Sequence, residues 1–130
     1  MIGGFTITGN LPETVLIRGV GPGLTATFGL TGTLGAPQLA LYDSVVPTNP
    51  QVIATNAGWG NAPVPGPSTV KAGIGQATAS IMTGVGAFSL ASGSADSSML
   101  ITLPPGSYTA QLTGVTGTTG IALVEIYEVP

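Results

Sequence analysis

The sequence contains no cysteine and no histidine. Their absence excludes Ser-His-Asp and Cys-His nucleophilic sites as well as ordinary zinc sites. The run Gly19-Val20-Gly21-Pro22-Gly23-Leu24 matches only the first two glycines of a dinucleotide-binding loop, and no P-loop or nucleophile elbow is present. We therefore expect no enzymatic activity, no cofactor and no disulfide.

Charge is almost as scarce. Charged residues make up 5% of the chain, against roughly 25% in an average soluble domain. With Arg18 and Lys71 as the only bases, no basic patch exists for nucleic acid or for an anionic membrane surface. The chain contains no run of about 18 apolar residues, so no membrane span is predicted. The N-terminus also lacks the charged start and apolar run of a signal peptide, so in an exported protein either the signal has been removed or this chain is part of a longer precursor.

Apolar residues are abundant by contrast. They make up 43% of the chain, and its mean hydropathy is +0.52. Disordered chains combine few apolar residues with high net charge, so this chain is expected to fold. A surface with so few charges is expected to be buried against other chains or covered by glycan. We therefore expect copies of the chain itself as the main partner.

Short β-prone runs separated by Gly, Pro, Asn and Ser dominate the sequence, as is typical of a sandwich or barrel. Seven runs predict strands, at residues 5–8, 14–20, 38–43, 51–55, 98–103, 107–113 and 121–129. The run at 14–20 is nearly all apolar and is expected in the middle of a sheet. The run at 121–129 is apolar on both faces, so we expect cover on both sides. The prediction is one domain, 1–130, with an all-β, jelly-roll-like antiparallel β-sandwich fold.

One segment departs from the strand pattern. Val70, Ile74, Ala77 and Ile81 lie at helical spacing. Ser68 could cap such a helix, whereas Gly73 and Gly75 would each weaken it by about 1 kcal/mol. We predict one short helix or irregular crossover around 68–83.

Arg18 lies inside the apolar run at 14–20. A buried guanidinium without a partner is very costly. Asp43, Asp96 and Glu125 are the candidate partners, and we favour a structural ion pair between Arg18 and Glu125. The alternatives are a ligand-binding arginine and a solvent-exposed side chain.

Trp59 lies between two glycines in a predicted loop at 57–67. An exposed tryptophan could stack on a sugar ring, which makes Trp59 the candidate glycan contact. We favour the other interpretation, in which Trp59 closes one end of the core with the help of Phe28 or Phe88.

The acidic residues offer little catalytic chemistry. Glu125 and Glu128 are three apart on a predicted strand and so face opposite sides. Asp43, Asn56 and Asp96 lie at strand ends or loops, where oxygen ligands could hold calcium. The favoured alternative is that these residues hydrogen-bond the local backbone of turns, so no metal is expected.

Several segments together resemble a repeat module of large secreted proteins from Verrucomicrobia-like and related environmental bacteria. The segments that carry the resemblance are 4–9, 14–24, 39–43, 53–56, 86–90, 93–96, 103–112 and 119–128. Tyr42-Asp43 and Pro105-Gly106-Ser107-Tyr108 are also similar to pre-peptidase C-terminal β-sandwich modules. The resemblance implies an extracellular, non-catalytic module used in attachment. Ala57 and Gly58 depart from it, because such modules usually carry an acidic residue after Asn56.

These observations together predict a structural subunit of an extracellular or cell-surface filament or matrix fibre. The residues expected to assemble it are Phe5, Ile7, Ile121, Leu123 and Tyr127. Residues 1–10 are the candidate for a strand exchanged between neighbouring copies. The alternative function is a secreted carbohydrate- or cell-wall-binding module of a larger surface protein.

Overall fold

All seven strands predicted from the sequence are present in the computed structural model, which describes every residue from Met1 to Pro130. The strands are β1 (Ile2–Ile7), β2 (Glu13–Val20), β3 (Pro37–Tyr42), β4 (Val52–Asn56), β5 (Val64–Pro65), β6 (Gly73–Gly75), β7 (Ser97–Leu103), β8 (Gly106–Gly114) and β9 (Leu123–Val129). The helices are α1 (Pro22–Phe28) and α2 (Ala79–Gly84), with a single 3-10 turn at Val115–Gly117.

The strands form two antiparallel sheets that face each other. The five-stranded sheet has the order β1-β8-β3-β4-β5, and the four-stranded sheet has the order β6-β7-β2-β9. Pairing of β1 with β8 and of β2 with β7 nests one hairpin-like pair inside another, as in jelly rolls. The predicted all-β sandwich is confirmed.

The main core lies between the two sheets. Strand β8 follows the predicted alternation, with Tyr108, Ala110 and Leu112 facing inward. They belong to a cluster of thirteen buried residues drawn from both sheets: Ile7, Val15, Ile17, Leu39, Leu41, Ile53, Ala54, Met99, Ile101, Leu103, Tyr108, Ala110 and Leu112. Alternation along each strand therefore accounts for the main core.

Strand β2 is buried on both faces and lies between β7 and β9, as its nearly all-apolar sequence predicted. Its outward-facing residues Leu16 and Val20 belong to a second buried cluster. The remaining buried members of that cluster are Leu24, Ala77, Met82, Ala87 and Leu90. Most of these lie in residues 77–94, here named the covering segment, which forms a third layer over the four-stranded sheet.

The segment at 68–83 is a strand followed by a helix. Gly73–Gly75 pairs with β7, and helix α2 begins only at Ala79. Thr78 caps it by accepting a hydrogen bond from the N–H of Ile81 at 3.2 Å. The expectation that Ser68 would be the cap is wrong, because its hydroxyl instead donates to Asp43.

Helix α1 lies where no helix was predicted, directly after Gly21. Pro22 occupies the start of the helix, where a fixed φ and a missing N–H carry little cost. Gly29 ends the helix in the left-handed region, with φ of 69°. No helix in the structure has the length and apolar character to cross a membrane.

Candidate functional site

Arg18 is fully buried and lies at the centre of a polar cluster on the outward face of β2. Its Nε donates to Glu125 Oε1 at 3.0 Å, and Nη2 lies 2.9 Å from the same oxygen. The two residues face each other across the β2–β9 pair, so the sheet register itself sets the ion pair. The guanidinium carbon also lies 4.4 Å from the centre of the Phe88 ring, a cation–π distance.

Tyr127 completes this cluster by donating its hydroxyl hydrogen to Glu125. Burial raises the pKa of Tyr127 above 10.0, and the hydrogen bond and negative charge of Glu125 raise it further, against an opposing effect of Arg18. The carboxylate of Glu125 is thus held by a cation and a neutral phenol. These contacts join β2 and β9 through their side chains as well as through their backbones.

Arg18 and Trp59 each donate a side-chain hydrogen bond to a backbone carbonyl of the covering segment. Nη1 of Arg18 donates to the carbonyl of Phe88 at 2.6 Å, and Nε1 of Trp59 donates to the carbonyl of Ala91 at 3.0 Å. Both acceptors lie in the covering segment, whose own backbone–backbone hydrogen bonds all stay within it. These two side chains, together with apolar packing, attach the covering segment to the sandwich.

The structure places Trp59 against the second cluster, half-buried. Its position matches the favoured interpretation of a side chain that closes a core, although the core concerned is the second one. Phe88 packs there too, and its ring lies 5.3 Å from that of Phe28 in an edge-to-face arrangement.

Asp96 is fully buried and anchors the start of α1. Its Oδ1 accepts hydrogen bonds from the N–H groups of Gly21 at 2.8 Å and Gly23 at 3.0 Å, and its Oδ2 accepts one from the Ser94 hydroxyl at 2.7 Å. A carboxylate 73 residues from Gly23 therefore takes the place of a local N-cap. The closely spaced Gly21 and Gly23 were the sequence signal for this contact, because neighbouring backbone N–H groups in a turn attract an anion.

Asp43 is the second buried carboxylate, and it fixes the β3–β4 connection. Burial alone would raise its pKa, but hydrogen bonds from the Gln51 N–H, the Ser68 hydroxyl and the Val45 N–H outweigh burial and lower the pKa below 3.8. Burial, with a smaller effect from the charge of Asp43, raises the pKa of the nearby Tyr108 above 10.0. Asp43 is therefore an ionised, internally satisfied turn residue.

The side chains considered for calcium are all engaged in hydrogen bonds within the fold. Asn56 uses its side chain to accept from the N–H of Ser98 at 2.9 Å and to donate to the carbonyl of Asn61 at 3.1 Å. The side-chain oxygens of Asp43 and Asp96 accept hydrogen bonds as described above. No three acidic side chains lie together in the way a metal ion would need.

The five predicted assembly residues divide by exposure. Ile121 and Leu123 are exposed, with 55% and 36% of their surface accessible. Phe5 is half-buried against Tyr108, and Tyr127 is half-buried in the cluster around Arg18. Only 4% of Ile7 is exposed, because its side chain points into the main core of its own chain.

Two long strand edges lie together on one side of the sandwich. β1 pairs only with β8 of its own chain, and β9 pairs only with β2, so each has one free edge. A Cβ built at Gly3 would lie 3.4 Å from Val124 Cγ1 and 3.7 Å from Ile126 Cδ1. These distances place β1 directly over β9, and we name the pair of edges the open side.

The opposite side of the sandwich has short edges. Its strands are β5, which has two residues including Pro65, and β6, which has three residues including two glycines. Short edges and proline are devices by which natural sheets prevent further strand pairing. The open side lacks them: its strands have six and seven residues, with no proline, lysine or register shift within either.

The largest surface cleft lies at one end of the sandwich, with a volume of about 570 Å³. Its polar side chains are uncharged and come from Asn61, Ser92 and Ser94. Trp59 is adjacent in sequence to lining residues Gly58 and Gly60 but does not line the cleft.

Comparison with known proteins found no matching family model, no matching curated protein and no matching solved structure.

Proposed function

We propose that this protein is a non-enzymatic structural subunit that associates with its own copies to build an extracellular filament or matrix. The observation that carries the proposal is the contrast between the two sides of the sandwich. One side has edges of only two and three residues, while the other leaves edges of six and seven residues free. Natural β proteins normally block such edges, so a free pair is best explained as an interface.

The distribution of charge supports the same proposal. β1 carries no charged side chain, and on β9 only Glu125 and Glu128 are charged. Glu125 is neutralised by Arg18 inside the molecule. The open side therefore presents little electrostatic repulsion to a second copy, and the exposed Ile2, Ile121 and Leu123 add apolar surface there.

The proposed mode of association differs from a donated N-terminal segment. β1 completes the five-stranded sheet of its own chain over six paired positions. Its inward-facing Ile7 contributes to the main core, so removing β1 would uncover that core. Pairing between intact edges leaves both cores closed.

The test is a matched pair of substitutions on opposite sides. Ile2 in β1 is 66% exposed and Val64 in β5 is 62% exposed, so Ile2→Lys and Val64→Lys introduce the same charge at the same exposure. We expect Ile2→Lys to weaken association at least tenfold, because like charges meet across the edge, and Val64→Lys to leave it unchanged. Light scattering over a concentration series and negative-stain electron microscopy measure the effect. Wild-type protein that stays at 12.7 kDa at every concentration would contradict the proposal.

The end cleft favours a second candidate function, binding of a neutral sugar. Its volume falls within the roughly 300–1,000 Å³ of small-ligand sites, and uncharged amide and hydroxyl groups suit a carbohydrate. Asn61 donates to the carbonyl of Ala57 at 3.1 Å, so it would hold the loop as well as the ligand. Glycan-array binding that is lost in Ser92→Ala/Ser94→Ala, with association unchanged, would favour this function.

A further inference from the structure

The open side makes a specific kind of interface, and this inference rests on the proposed function. We infer that the unit of assembly is a two-fold symmetric dimer in which β9 pairs with β9 and β1 pairs with β1 of a second copy. The five-stranded sheets would join into one sheet of ten strands, and the four-stranded sheets into one of eight. The occupant of the open side is therefore a second copy of this chain.

The stacking of β1 over β9 is the reason that a second copy fits better than a peptide. A single extended peptide can pair with one free edge and would leave the other uncovered. A second sandwich presents the same two edges at the same spacing, because sheets that pack face to face lie about 10 Å apart. Rotation by 180° about an axis perpendicular to both sheets brings each edge against its own copy in antiparallel orientation.

The same placement decides between a closed and an open assembly. Both free edges lie on one side, and the opposite side is limited to β5 and β6. Edge pairing therefore uses the same patch on both copies, and such an isologous contact is complete once two copies have met. A filament would grow from this dimer through other surfaces.

The pairing register is constrained by charge and by the strand period. Opposed residues in an antiparallel pair point to the same face, so one residue of β9 must lie opposite itself at the two-fold axis. Glu128 is disfavoured at the axis, because two carboxylates would then be adjacent. The axis is therefore expected near the middle of β9, close to Ile126.

The size of the contact predicts its strength. Seven residues at about 3.3 Å per residue give an edge of about 23 Å. A sandwich about 20 Å thick then buries on the order of 900 Å² in total, near the roughly 1,000 Å² expected of a specific interface. We expect a dimer that dissociates on dilution.

Single-cysteine variants test the symmetry, because the chain has no other thiol. Cysteine is introduced one position at a time along β1 and β9, and the rate of disulfide-linked dimer formation is measured at concentrations where light scattering detects association. Opposed strand residues satisfy the Cα separation of a disulfide. We expect one peak of self-cross-linking in β9, near Ile126, and one in β1, while Val64→Cys remains monomeric.

Two results would overturn the dimer. If no single variant cross-links to itself but a mixture of two different variants does, the contact is head-to-tail. If a peak appears in only one of the two strands, the paired edges are not engaged together. In both cases association itself persists, so the proposed function would survive; it fails only if scattering detects no association. Should Ile126→Cys fold poorly, mixing Leu123→Cys with Val129→Cys tests the same register, because an axis at Ile126 places these two positions opposite each other, while the scan of β1 still reports self-cross-linking.

Discussion

Breaking the Arg18–Glu125 pair is expected to be among the most damaging single changes in this fold. In Glu125→Ala the guanidinium stays fully buried and loses its only carboxylate. Removing one partner of a buried pair typically costs about 3–5 kcal/mol, because the remaining charge is left uncompensated. For 130 residues the unfolding entropy is about 0.27 kcal/mol/K, so this loss lowers the melting temperature by about 11–18 °C.

The double variant Arg18→Met/Glu125→Leu separates the charge from the packing. Replacing both charges by apolar side chains of similar volume is often neutral or stabilising. We therefore expect the double variant to lie within about 2 kcal/mol of the wild type, far above the Glu125→Ala variant. Urea unfolding followed by circular dichroism measures each free energy, and an unchanged m-value verifies that only stability has moved.

Two outcomes would refute the reasoning. A loss below about 1 kcal/mol in Glu125→Ala would mean that Arg18 reaches water, as exposed ion pairs contribute only that much. If the double variant lost as much stability as Arg18→Met and Glu125→Leu lose when added together, Arg18 and Glu125 would not be coupled.

Three further predictions concern the turns and the covering segment. Folding lowers the pKa of Asp43, so its carboxylate stabilises the fold above pH 3.8, and this stabilisation is lost as the pH falls through the folded-state pKa. Between pH 5 and pH 3, urea unfolding should therefore show a larger drop in the free energy of unfolding for wild type than for Asp43→Asn. Gly21→Ala should destabilise by about 1–3 kcal/mol, because its Cβ would overlap the carbonyl of Leu34, whereas Gly35→Ala meets open space and should be neutral in the same melts. Trp59→Ala should cost about 2–4 kcal/mol through lost packing while leaving binding to a glycan array unchanged, and a loss of glycan binding at full stability would contradict its structural role.

The strands were predictable because their signal is local. Alternation in β8 and the nearly all-apolar run of β2 follow directly from which faces are buried. Helix α1 was not predictable, because its start is stabilised by Asp96, a residue 73 positions from Gly23. Gly21 and Gly23 fit a turn that binds an anion, but nothing in the neighbouring sequence identifies Asp96 as that anion.

The candidate site was predictable only in part. A buried arginine within an apolar run needs a partner, and three carboxylates could supply one. The favoured pairing with Glu125 therefore became certain only from the β2–β9 register. The open side could not be predicted from the sequence, because it depends on which strands lie at the edges of each sheet and on the position of β1 over β9. The burial of Ile7 in the main core likewise depends on the packing of the two sheets and not on its segment alone.

The second cluster also changes the meaning of the apolar composition. Seven buried residues outside the sandwich interior use apolar side chains that would otherwise lie on the surface. The scarcity of charge therefore remains a stronger argument for association than the abundance of apolar residues.

The manner in which residues 77–94 are attached has a consequence for motion. No backbone ladder joins them to either sheet, and their hydrogen bonds to the rest of the fold include only the two side-chain donations from Arg18 and Trp59 together with the Ser94–Asp96 contact. If residues 77–94 detached from the sandwich, Leu16 and Val20 would be exposed to water while every strand pairing persisted. We therefore expect the covering segment to open at a lower free energy than the sandwich, as a cooperative unit of its own.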